Sequence, residues 1–263
     1  METKKVINNN LIKGAATPAV DLLLHLADTT LILAQRNAEW CGHGPVLEQD
    51  IAITNISLDL LGQSRNFYQY AANLIGGNDT EDTLAYFRTE REFKNFLLVE
   101  QPSGDWAHTI LRQFFFSQFQ YLLFQKLINS SDEQLAAIAE KSLKETTYHL
   151  RWSSEWVIRL GDGTKESRAR MTEAIETLWS YTGEFFIAAD YETAISETTG
   201  ANVKALQEPW NKNIKRVFEE ATLPVPDEKY MQKGGKQGIH TEHLGYILAE
   251  LQYLQRTYPG CNW

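Results

Sequence analysis

Apolar residues recur along most of the chain in steps of three and four, with polar residues filling the turns between them. That is the period of helices that bury one face. Between Val20 and Trp40, leucine and isoleucine occupy positions 22, 23, 24, 26, 31, 32 and 33, while Gln35, Arg36 and Asn37 make a polar turn. A second stripe runs from Leu47 to Ile75, with apolar positions 51, 53, 56, 58, 60, 61 and 67, and stops at Gly76-Gly77. Such a glycine pair takes the left-handed backbone that closes a helix. A shorter helical region is expected over Thr80 to Val99. The turn QPSG then leads to Asp105, a natural N-cap for a helix reaching Asn129. Further helices are expected over Asp132 to Leu160, Lys165 to Ala189, residues 203–221 and the C-terminal HTEHLGYILAELQYLQRTY.

No alternating strand with hairpin chemistry interrupts this pattern, and the prolines at 45, 102, 224 and 226 fall between the periodic stretches. The expected class is all-α, a bundle of long antiparallel helices with additions. With no internal repeat and no linker composition, residues 1–263 read as a single domain, residues 1–17 forming a flexible N-terminal extension.

Composition narrows the function. The chain has 34 acids against 25 bases, a net charge of -9, and no basic stripe to follow a phosphate backbone, which argues against nucleic acid as a partner. Two distant cysteines, Cys41 and Cys261, make neither a disulfide framework nor a zinc knuckle. The polar start METKKVINNNLIKGAATP lacks an apolar signal core, and no run approaches the ~18 apolar residues that cross a bilayer. The expectation is no membrane association and a cytoplasmic location.

Four constellations carry candidate chemistry. KETTYHLRW sets Glu145 and His149 one turn apart on one face, which reads as a structural ion pair. Asp105-Trp-Ala-His108 is the one acid-x-x-histidine match, and the cap role of Asp105 removes it from a metal site. HTEH pairs His240 with His243 but offers no third ligand nearby. Just before it, Lys233, Gly234, Gly235 and Lys236 make either a solvated loop or an anion-binding one. The segment RQFFFSQFQYLLFQK is aromatic all round, and Arg112, Phe115, Phe119, Leu122 and Lys126 line one side of it. That side is expected to be either a partner interface or a face covered by the chain's own helices.

The motifs QRNAEWCGHGP, LDLLGQSRNF, EDTLAYFR, LLVEQPSGDWA, KETTYHLRW and GGKQGIHTEHLG closely resemble those of the PaaC-type subunits of bacterial phenylacetyl-CoA epoxidases. The similarity runs from about Leu22 to Trp263. It implies a ferritin-like four-helix bundle core with additional helices, in a subunit of a multicomponent oxygenase. It also implies partnership with a related PaaA-type subunit that carries the di-iron centre and binds phenylacetyl-CoA. A reductase with flavin and an iron–sulfur cluster would supply the electrons. Followed onto this chain, the pattern of a ligating subunit falls at Glu39, Leu60, Gln63, Ser117, Thr146 and His149. Four of these six have lost the ligating group, so the resemblance implies no cofactor in this chain, no metal, and a non-catalytic structural role. Two other readings remain open on the residues alone: a self-sufficient di-metal enzyme with atypical ligands, and an acyl-CoA-binding module using the 233–236 loop.

Overall fold

The computed structural model describes residues 17–226 and 230–261. Its helices are α1 (Pro18–Ala38), α2 (Leu47–Ile75), α3 (Glu81–Tyr86), α4 (Leu97–Glu100), α5 (Trp106–Leu127), α6 (Glu133–Gly161), α7 (Lys165–Leu178), α8 (Asp190–Ala194), α9 (Ser196–Thr199), α10 (Gln207–Glu220), α11 (Glu242–Leu251) and α12 (Tyr253–Thr257). The described residues are all-α, in a ferritin-like helical fold. The expected extension lies outside them except for Thr17, whose hydroxyl accepts from Val20 N at 3.3 Å and caps α1.

Two helix pairs, α1 with α2 and α5 with α6, make the bundle, and α2 also packs on α6. Within each pair a short turn forces antiparallel neighbours, whereas residues 76–105 carry the chain from one pair to the other. Local signals set the ends of the long helices as read from sequence. Asp105 accepts from His108 N at 3.0 Å and Asp132 from Leu135 N at 2.9 Å, while Gly76 closes α2 at φ +75°.

Two expected helices break. The region from Thr80 to Val99 is not continuous, because side chains from distant segments take the amides that would extend it. Lys94 N donates to Asp28 at 2.8 Å, Phe96 N to the Thr29 hydroxyl at 3.4 Å and Leu97 N to Glu184 at 2.9 Å. Likewise the segment expected to run from Lys165 to Ala189 ends at Leu178 and continues as tight 3₁₀ turns. There Phe185 and Phe186 turn inward against Phe119 and Trp210.

That aromatic cluster overturns the expectation of a partner interface on α5. Phe115 is 0% and Phe119 1% exposed, and Arg112 is 0% exposed. Phe115 packs on Trp179, Trp210 and Phe218, and Phe119 on Phe96 and Phe185. The turns after α7, together with α10, thus cover this face from within the chain. Arg112 donates to the carbonyls of Gln101 at 2.7 Å and Pro102 at 3.2 Å, tying α5 to the turn before it. Burial, with the nearby Arg36 charge, lowers its guanidinium to about 9. Leu122 is half-buried, and Lys126 alone of the five is exposed.

His25 of α1 lies edge-on to Phe96, with ring centroids 4.6 Å apart, and donates from Nδ1 to the Lys94 carbonyl at 2.7 Å. Burial, reinforced by the Lys236 charge, lowers it from 6.5 to about 4. The unfolded chain therefore binds the proton first. The contribution of His25 is whole above 6.5 and is lost as pH falls through about 4, roughly 3 kcal/mol in all. His25→Asn keeps a donor for Lys94 but cannot titrate. Urea unfolding at a series of pH values should show the acid loss shrinking by about that amount in the variant; equal acid limbs would contradict this account.

Candidate functional site

The centre of the bundle is polar where its neighbours are apolar. From α6, Ser142, Thr146, His149 and Ser153 follow steps of four, three and four, and all are 0% exposed. From α5, Gln113, Ser117 and Gln120 repeat the same spacing, again buried. α2 contributes Gln63, and Leu60 one turn earlier on the same face.

Side-chain amides link these helices into a relay. Thr146 donates to Gln120 Oε1 at 3.1 Å, Gln120 Nε2 to Gln63 Oε1 at 3.0 Å, and Gln63 Nε2 to Glu145 Oε2 at 2.9 Å. A second branch joins α1 to α5, with Asn37 Nδ2 donating to Gln113 Oε1 at 2.7 Å and Gln113 Nε2 to Ser117 Oγ at 2.8 Å. In the relay, Gln63 and Gln120 each donate on one side and accept on the other, as Gln113 does in the second branch, which suits neutral groups held away from water.

Glu145 and His149 share a face as expected, yet they do not pair with each other. Glu145 accepts from Gln63, while His149 Nε2 donates to Asp59 Oδ2 at 3.0 Å. The i, i+4 spacing points both side chains at α2, and α2 offers each a separate partner. His149 Nδ1 is left buried with no partner among the described residues. Glu39 is a further correction. It follows the last turn of α1 with its side chain 44% exposed, bonded to Arg36 and Ser103. Asn37, two residues earlier, is the α1 side chain that joins this polar layer, through Gln113.

The arrangement does not fit a bridged metal pair. Such a site needs about six ligands, mostly carboxylates, converging from four helices. Here Leu60, Gln63, Ser117 and Thr146 offer methyl groups, an amide and hydroxyls. Among the described residues no three His, Cys, Asp or Glu side chains gather closely enough to hold a metal ion. The amide hydrogens of Gln63 and Gln120 point at the oxygens that a cation would otherwise bind. What the layer can do is fix the register of α2, α5 and α6.

This predicts non-additive energetics. Gln120→Leu strands Gln63 Oε1 and the Thr146 hydroxyl together and should cost about 2 kcal/mol or more. Adding Thr146→Val should then cost less than Thr146→Val does alone, by ~0.5 kcal/mol or more. Urea midpoints of the four chains check this, and strict additivity would count against the relay.

The 233–236 loop is already occupied. Gly234 N donates to Glu184 Oε1 at 2.8 Å, and Lys236, 1% exposed, donates to Glu192 at 2.7 Å and to the Ile187 carbonyl at 2.9 Å. A Cβ on Gly235 would stand 2.1 Å from the Asn95 carbonyl oxygen, so the loop backbone lies directly on the crossover. Burial raises the Glu184 carboxyl and lowers the Lys236 ammonium. Neither alternative holds as stated: the loop is not solvated, since Lys233 alone of its four residues is exposed, and its buried amide and ammonium groups receive carboxylates of their own chain.

His240 is held by Glu100 rather than by His243. Its Nδ1 donates to Glu100 Oε2 and its Nε2 to the Phe93 carbonyl, both at 2.9 Å, so both ring nitrogens carry protons. Burial alone would lower this histidine, but the hydrogen bond to Glu100 and that carboxylate's charge raise it above its usual value. Its contribution is complete below 6.5 and lost as pH rises through the raised value.

The family described as phenylacetic acid catabolic protein, which groups PaaA and PaaC chains, matches residues 5–263. The C-type subunit of the 1,2-phenylacetyl-CoA epoxidase of Escherichia coli (strain K12) is 52% identical over 241 residues, covering 91% of this chain and 97% of that protein. On both grounds the chain belongs to the phenylacetic acid catabolic protein family.

Proposed function

We propose that this chain is a structural, non-catalytic subunit of a multicomponent phenylacetyl-CoA epoxidase in aerobic phenylacetate breakdown. It pairs with a related catalytic subunit, stabilising and positioning it. That partner holds the di-iron centre and binds the acyl-CoA substrate, and a reductase with flavin and an iron–sulfur cluster feeds it electrons. The complex works in the cytoplasm; among the described residues no helix is long and apolar enough to cross a membrane.

One observation carries this reading. The bundle centre joins Thr146, Gln120, Gln63 and Glu145 in a hydrogen-bonded chain through neutral amides, where a ligating subunit needs carboxylates. A +4 to +6 iron pair placed there would be buried with the single Glu145 carboxylate of that chain to offset it, which is strongly destabilising.

Elemental analysis tests the proposal. The chain purified alone after growth with iron should contain none in stoichiometric amount and turn over no substrate, while co-expression with its neighbouring subunits should give an active complex whose iron follows the catalytic chain. About two metal ions per copy of the isolated chain, the load of an intact bundle site, would overturn it.

A further inference from the structure

Among the described residues, 239–257 are tied to the rest of the chain by one buried ion pair, His240 with Glu100. The segment lies over the crossover, with α11 packed on α4 and on the turn at residues 90–92. Its apolar hold is small. Leu244, Ile247 and Leu248 are the buried side chains of α11, and α12 has none. Gln252 and Arg256 add hydrogen bonds to the carbonyls of Ala85, Tyr86 and Arg88.

The pair depends on a proton. Glu100 is 0% exposed, and both its oxygens are filled. Oε1 accepts from Thr241 N at 2.6 Å and the Thr241 hydroxyl at 2.8 Å, and Oε2 from Asn95 Nδ2 at 2.8 Å and His240 Nδ1 at 2.9 Å. Of these donors only His240 can bring a charge. Arg36 of α1 reaches the Glu100 carbonyl, not the carboxylate. Asp28 of α1 acts on the ring but is paired with Arg88. Tyr181, after α7, stays neutral, raised by burial and by the Glu100 charge. On the segment itself Glu242 is exposed and His243 half-buried, neither hydrogen-bonded to the pair. Because the second ring nitrogen donates to the Phe93 carbonyl at 2.9 Å, the site uses both imidazole protons. A neutral ring carries one. Its loss sets a lone pair against an acceptor and leaves the buried carboxylate with no cation in contact.

Gly238 supplies a hinge. Its φ is +74°, and a Cβ there would stand 2.2 Å from the Arg91 carbonyl oxygen, so the chain is laid on the crossover in a backbone that other residues avoid. On the near side of the hinge, Gly234 and Lys236 remain fastened to Glu184 and Glu192.

We propose that residues 239–257 form a strap fastened by a single proton, closed over the crossover while the His240 ring is an imidazolium and lifting about Gly238 when it becomes neutral, with the helix bundle intact. The closed strap holds the proton more tightly than the open one, where the ring returns to about 6.5. Opening therefore releases a proton. From 6.5 up to the raised value of the closed state, the opening constant rises up to about tenfold per pH unit, and it falls back on acidification.

Hydrogen exchange of the full chain from about pH 6 to about pH 9, read by mass spectrometry with labelling times scaled to the intrinsic rate, tests this. Amides of α11 and α12 should lose protection with that slope while those of α1, α2, α5 and α6 keep theirs. Glu100→Gln should remove the slope and keep the strap closed at alkaline pH, because its amide can donate to a neutral ring. His240→Leu should leave α11 exchanging fast at every pH. If that variant fails to fold, the wild-type slope and Glu100→Gln still decide. A strap whose protection ignores pH overturns the proposal. So does a slope that survives in Glu100→Gln, a His240→Leu strap that stays protected, or a bundle that opens in step with the strap. The readout needs no partner, substrate or metal, so it stands apart from the test of the structural role.

Discussion

Arg88→Met should lower stability by about 3–5 kcal/mol, the cost of leaving a buried carboxylate without its cation. Asp28 is 0% exposed and accepts from Tyr68 OH at 2.5 Å, Lys94 N at 2.8 Å and Arg88 Nη1 at 3.1 Å, with a further short bond from Arg88 Nη2. The guanidinium, 2% exposed, also donates to the carbonyls of Leu84 at 2.6 Å and Glu92 at 2.8 Å, and stacks over Phe93 at 4.4 Å. Burial alone would lower Arg88, but Asp28 outweighs it and holds the arginine firmly charged. Removing the cation leaves Asp28 to protonate or to draw in water, and it frees two carbonyls of the crossover at once. For a chain of this size the melting temperature should fall by about 10 °C. Arg88→Lys keeps the charge without the fork and should fall between the two. A loss under about 1 kcal/mol for Arg88→Met, the scale of a surface pair, would show that the crossover is held by something else.

The same pair explains which parts of the fold were legible in the sequence. α1, α2, α5 and α6 declare themselves through local signals: the apolar stripe, an acid or threonine cap, and a glycine stop after α2. The crossover does not. Its amides at Lys94, Phe96 and Leu97 go to Asp28, Thr29 and Glu184, residues 66, 67 and 87 positions away. No window of ordinary length contains both partners, so helical periodicity near Thr80 to Val99 promises a continuous helix that tertiary hydrogen bonds then divide.

At the bundle centre, the spacing placed Glu145 and His149 correctly on one face, but spacing cannot name partners. Those came from α2, as Gln63 and Asp59. Gln120 carries a signal of its own in the sequence. Gln113, Ser117 and Gln120 stand at steps of four and three in a helix otherwise crowded with phenylalanine. A polar stripe in such a helix marks a buried layer rather than a solvated side. The inward position of Asn37 and the outward one of Glu39 were not legible, because they stand on either side of the helix end at Ala38, where a two-residue step reverses the face.

Phe115→Glu with Phe119→Glu should abolish folding rather than merely detach a partner. Both rings are enclosed by Trp179, Phe185, Trp210 and Phe218, contributed by α10 and the turns after α7. Each change loses about 3–5 kcal/mol of aromatic packing and adds a carboxylate with no cation in contact. Together the packing losses and the two buried carboxylates cost as much as the ~5–15 kcal/mol that holds a typical domain folded. Phe119→Leu keeps an apolar side chain of lesser volume and should fold, with a loss of about 2 kcal/mol. Circular dichroism and the soluble yield of the two variants decide the matter. A double variant that remains soluble and fully helical would mean that the aromatic cluster opens readily and that this face of α5 is available to another chain after all.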